Sequence, residues 1–184
     1  MKIVLRVAHE TRRRPKAFTL LEMLTTVAVL ILLLGMMVSL AHYVRNELAV
    51  EATKDVLHRL DEMMRQYVAK QGRLPSIDPF IPPALPHGEL PDEPLLQQTA
   101  VANNRAFVAA LREAGILGDE SFGGLPHTLY NDMMIRDAWG SPIVFMPAMH
   151  EGIGMALENR PFFFSAGPDQ QYLTQENNFY SYEQ

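Results

Sequence analysis

The chain has 184 residues, 48% of them hydrophobic, a formal net charge of −5 and no cysteine. That length allows one modest domain with an added element, and the missing thiols exclude a disulfide framework, a CxxC redox pair and a thiolate zinc site. Charge is segregated along the chain. Residues 1–17 hold Lys2, Arg6, Arg12, Arg13, Arg14 and Lys16 against Glu10 alone, whereas the rest has ten basic and twenty acidic residues. So acidic a body is repelled by polyanions, and no nucleic-acid partner is expected.

The basic head runs into an apolar segment. Met23 to Ala41 is nineteen residues without a charge, about 28 Å as a helix, close to the thickness of a bilayer core. Glu22 is the lone charge between Lys16 and Arg45. The basic flank predicts a single pass with the N-terminus cytoplasmic and the acidic body on the far side. A cleaved signal peptide is one reading, with Ser39–Ala41 as its small-residue site, but its apolar region would be about twice the usual 7–15 residues. A plain membrane anchor is another. Neither accounts for Glu22 or for the sharp boundary at Ala17-Phe18.

The stretch "KAFTLLEMLTTVAVLILLLGMM", Lys16 to Met37, resembles the N-terminal signature of type IV prepilins and type II secretion pseudopilins. The resemblance implies a leader over 1–17 that a prepilin peptidase/methyltransferase cuts after Ala17 on the cytoplasmic side. Phe18 would become the N-methylated terminus and Glu22 the carboxylate at the fifth mature position. Ala17 departs from the family's usual Gly, though it is also small. A carboxylate near a helix end in lipid costs up to about 3 kcal/mol unless neutralised, paired or snorkelled. In a filament the Phe18 amine of a neighbouring subunit would pair with it, so Glu22 is the expected assembly residue.

Beyond the apolar segment, residues 18–41, the helix is expected to continue over 42–71. Ala49, Ala52, Val56, Leu60, Met63 and Tyr67 form a stripe at steps of three and four, widened by Leu57, Met64 and Val68. Asp61 and Arg65 make an i,i+4 pair on the solvated side, and Gly72 and Pro75 end the helix. Seven prolines between Pro75 and Pro94 exclude regular structure and predict a loop over 72–94. A short second helix follows, capped by Asn103 or Asn104, with Phe107, Val108, Leu111 and Ala114 as its apolar face and Gly115 as its stop. "SPIVFMP", "RPFFFSAG" and "NNFYSYEQ" read as strands of an antiparallel meander. The expected class is α+β: a long N-terminal helix, transmembrane then amphipathic, packed on a small antiparallel sheet within a globular domain over 95–184.

The C-terminal half carries a second resemblance. "DAWGSPIVF" (Asp137–Phe145) and "FFFSAGPDQQYLTQENNFYSYEQ" (Phe162–Gln184) are similar to a strand entry and the final strand-loop-strand of the major type II pseudopilin. In that family the loop can hold structural Ca²⁺, which would fall to Asp169, Glu176, Asn177 and Asn178. Calcium takes six to eight oxygens, and Gln170 and Gln171 stand where the family often has Gly or an acid, so a plain Asn/Asp turn is the alternative. Trp139 is expected as a hydrophobic plug between sheet and helix.

Catalytic patterns are sparse. Ser165 lies outside a GxSxG, "EGIGMAL" lacks the third glycine of a dinucleotide loop, and His42, His58, His87, His127 and His150 show no metal-ligand spacing. The sequence reads as a non-enzymatic filament subunit similar to pseudopilins of a type II secretion system, with no cofactor beyond the Ca²⁺ candidate. Its expected partners are the prepilin peptidase, other pseudopilin subunits and an inner-membrane assembly platform. Its expected place is the inner membrane, with the C-terminal domain periplasmic. A type IV pilus or DNA-uptake pilin is the alternative within the class, and a single-pass membrane-anchored periplasmic binding domain is the alternative outside it.

Overall fold

Leu20–Gln71 form one 52-residue helix, α1, in a computed structural model that describes residues 18–81, 91–118, 129–131, 134–154 and 156–183. The expected leader, Ala17 and the middle of the proline-rich loop lie outside the described residues. The chain divides into two units at the Val44-Arg45 junction.

In the first unit, large apolar side chains are exposed all around the helix, Leu20 at 85%, Leu30 at 57% and Met37 at 69%. A helix apolar on every face belongs in a bilayer or a larger core, and this one is long and apolar enough to cross a membrane. Its hydroxyls are satisfied locally: Thr25 Oγ1 donates to Glu22 O at 3.0 Å and Thr26 Oγ1 to Met23 O at 2.9 Å. Neither therefore presents an unmet donor to an apolar surround.

The second unit is α+β. Along α1 from Arg45, one face is buried, through Thr53, Val56, Leu57, Leu60, Met63 and Met64, the stripe its periodicity predicts. On the solvated side Arg65 meets Asp61 at 3.0 Å. Helix α2 spans Glu93–Glu113, which corrects the expected start near Asn103. Asp92 is the N-cap, and Pro94 sits in the first turn, where its missing N–H costs nothing. The proline that read as loop is thus part of a helix start. At the far end, Lys70 Nζ donates to Ala114 O, satisfying a carbonyl that the helix leaves open.

Strands β3 (Val144–Met146), β4 (Phe162–Ser165) and β5 (Phe179–Tyr180) form an antiparallel meander in the order β3-β4-β5. Both faces of this sheet are covered, which explains why "FFF" runs unbroken at the centre of β4. Phe145 and Phe163 join Leu57, Leu60, Phe107 and Leu111 in one core cluster. Phe162 and Phe164, pointing the other way, join Phe80, Leu96, Tyr172 and Tyr180 in a second. A separate hairpin, β1 (Tyr130–Asn131) with β2 (Met134–Ile135), adds a pair of strands that the sequence did not announce.

Candidate assembly segment and the C-terminal loop

The first turn of α1 brings two chemistry-bearing residues together. Thr19 precedes the helix and accepts the Glu22 backbone N–H on Oγ1 at 3.2 Å, while its carbonyl accepts from Met23 N at 3.1 Å. Thr19-Leu20-Leu21-Glu22 therefore has the spacing of a capping box, with the carboxylate at the third helical position. A negative charge there is favoured by the positive end of the helix dipole. Glu22 thus has a local reason to exist besides any neighbour, one that the T-x-x-E spacing could have revealed. Phe18, 70% exposed, lies just before the cap.

No family model, curated protein or solved structure matches this chain. Its function must therefore be argued from its own residues.

On the second unit, the "DAWGSP" turn is organised by Asp137, which is 1% exposed. Its Oδ1 accepts from Trp139 N at 3.0 Å and Ser141 N at 2.8 Å, and its Oδ2 accepts from Ser165 Oγ at 2.7 Å. One carboxylate thereby ties the turn to β4. Burial raises the Asp137 pKa above 3.8, against the lowering effect of the bonds from Ser165, Ser141, Trp139 and Gly140. The turn docks on α1 through Ala138 N, which donates to the buried Thr53 Oγ1 at 3.1 Å. Trp139 is not the expected plug. It is half-buried and stacks on Phe179, centroids 5.6 Å apart and planes at 9°. Phe179 also meets the Lys54 ammonium, 5.9 Å from its ring centroid.

Asn103 and Asn104, read from sequence as caps, are buried in the middle of α2 and bind the strands. Asn103 Oδ1 accepts from Phe145 N at 2.8 Å, and its Nδ2 donates to Phe145 O and Asp78 O, both at 3.1 Å. Asn104 Oδ1 accepts from Ile135 N at 3.0 Å, and its Nδ2 donates to Ile135 O at 2.8 Å and Ile143 O at 2.6 Å. A mid-helix Asn pair is poor for helix propensity. Here it serves as a clamp for backbone groups that short strands leave unpaired.

The calcium candidates are not drawn into one cage. Asn177 presents nitrogen to Asp169, with Nδ2 to Oδ2 at 2.9 Å, and Gln171 N donates to Asp169 Oδ1 at 3.2 Å. Burial raises the Asp169 pKa, but the bonds from Asn177, Gln171 and Thr174 together outweigh it, leaving the carboxyl below 3.8. Glu176 is exposed. Asn178 is buried and donates instead to Tyr172 O at 2.9 Å. Among the described residues, no group of three or more His, Asp or Glu side chains converges as a metal site.

Proposed function

We propose that this chain is a non-enzymatic, pseudopilin-like filament subunit of a type II secretion system. The observation that carries the proposal is the exposed apolar first half of α1, whose lone carboxylate, Glu22, stands at the fifth residue after the Ala17-Phe18 boundary. In this reading a prepilin peptidase cuts after Ala17 and methylates the new Phe18 amine. The segment from Phe18 to Leu40 first anchors the subunit in the inner membrane, with the C-terminal domain periplasmic. Handed on by an assembly platform, it then becomes the core of a periplasmic fibre. Glu22 is costly alone in lipid and favourable beside a neighbour's Phe18 amine, so the same charge that penalises the free subunit promotes assembly. A type IV pilus or DNA-uptake subunit shares this N-terminal logic.

A membrane-tethered periplasmic binding domain is the second reading, and the Thr-x-x-Glu spacing at the start of α1 favours it, because a carboxylate at the third helical position suits a capping box and the helix dipole without a partner. Two variants separate the readings. Glu22→Gln keeps a side chain suited to the third position of a capping box but removes the charge. Glu22→Ala removes both. If Glu22 pairs between subunits, both variants insert in the membrane normally and both cross-link poorly into wild-type assemblies. Glu22→Gln behaving as wild type while Glu22→Ala fails would assign Glu22 to capping and count against the pairing.

A further inference from the structure

The loop from Ala166 to Asn178 returns the chain from β4 to β5, and its ends nearly touch. A Cβ on Gly167 would lie 1.9 Å from Asn177 O, at a φ of +69°. Such a crowded, oxygen-rich loop needs a positive partner for its oxygens, either a cation or N–H donors. Side-chain amides supply donors, two to oxygens of the loop itself and two that tie the loop to carbonyls outside it. Asn177 Nδ2 meets Asp169 Oδ2 at 2.9 Å, Gln170 Nε2 meets Trp139 O at 3.0 Å, Gln175 Nε2 meets Glu151 O at 3.0 Å, and Asn178 Nδ2 meets Tyr172 O at 2.9 Å.

We infer that this loop is closed by side-chain amides in place of a divalent cation, so that the domain folds without Ca²⁺. Calcium collects six to eight oxygens, with carboxylates prominent. Here the Asp169 carboxylate already holds N–H donors on both oxygens, Asn177 turns its nitrogen inward, and Gln170 and Gln175 tie the loop outward to Trp139 and Glu151. An ion at Asp169 would compete with these donors for the carboxylate's lone pairs. Among the described residues, one buried side-chain oxygen, Asn178 Oδ1, has no hydrogen-bond partner. A single open acceptor beside Tyr172 and Tyr180 suits one water molecule and falls far short of a calcium shell. The inference uses only the loop and holds whether or not the chain polymerises.

Thermal unfolding of the full chain in detergent tests it, followed by the fluorescence of Trp139, the single tryptophan, whose carbonyl Gln170 holds. The melting temperature in excess EDTA should match that in millimolar CaCl2 within about 1 °C. A rise of about 5–10 °C in CaCl2 with none in MgCl2, the shift that saturating a native-state site produces, would overturn the inference. Asn177→Asp replaces the inward donor with a second carboxylate facing Asp169, and should melt several degrees below wild type in EDTA. If it melts with wild type there, the amide does not close the loop and the inference fails.

Discussion

Replacing Asn104 with leucine isolates what the α2 clamp contributes. Leucine has the same branching and heavy-atom count and leaves no cavity, so the loss is in hydrogen bonding. Asn104 is fully buried and serves Ile135 N, Ile135 O and Ile143 O. Ile135 O keeps a second donor, Ile143 N at 3.1 Å, so the substitution strands two groups, Ile135 N and Ile143 O. Each unmet buried backbone group costs about 1–3 kcal/mol, and burying the leucine returns about 1 kcal/mol of the total. The expected net loss is about 3 kcal/mol, or about 6–12 °C in melting temperature for a unit of this size. The assay is thermal unfolding of the full chain in detergent, with Arg105→Ala, an exposed neighbour on the same helix, as the control expected to melt with wild type. If Asn104→Leu melts within about 2 °C of wild type, those backbone groups find other partners and the clamp argument is wrong.

Two further outcomes follow from the turn and the loop. Because the folded protein holds the Asp137 proton more tightly than the unfolded chain does, this group's contribution to stability falls as pH rises from about 3.8 through its raised folded value. Asp137→Asn keeps an acceptor for the amides of residues 139 and 141 without the buried charge. Its stability relative to wild type should improve from pH 4 to pH 7, and denaturant titrations showing the opposite trend would contradict the assignment. Gly167→Ala forces both a left-handed alanine and a 1.9 Å approach to Asn177 O, for a loss of about 3 kcal/mol or more. Gly140→Ala, at φ +99° with open space around it, should lose only the backbone part. Equal melting temperatures for the two variants would refute the crowding at Gly167.

The features visible in the sequence are those carried by repetition. Helix α1 announced itself through an uncharged run, a three-and-four stripe and the Gly72 and Pro75 stop, and it ends at Gln71. The meander was legible because β-rich runs sat between turn residues, and Gly115 marked the end of α2. The start of α2 was hidden because Asn is both a favoured cap and, as here, a buried clamp, and only the strands it holds tell the two apart. Asp92 followed by Pro94 was the competing signal, masked by the prolines around it. The β1–β2 hairpin is too short to show a period. Asp137 stands in a visible motif, yet its Ser165 partner lies 28 residues away, and the buried Thr53 finds its partner in Ala138, 85 residues on. The proposed assembly segment rests on local information alone: a boundary, an apolar run and one carboxylate.

Mass spectrometry of the N-terminus of the mature protein, isolated from its own cell membranes, tests the central claim most directly. The account predicts a chain that begins at Phe18, heavier than the unmodified sequence by one N-methyl group. An intact Met1 terminus, or a chain beginning at His42 after signal-peptide removal, would contradict it.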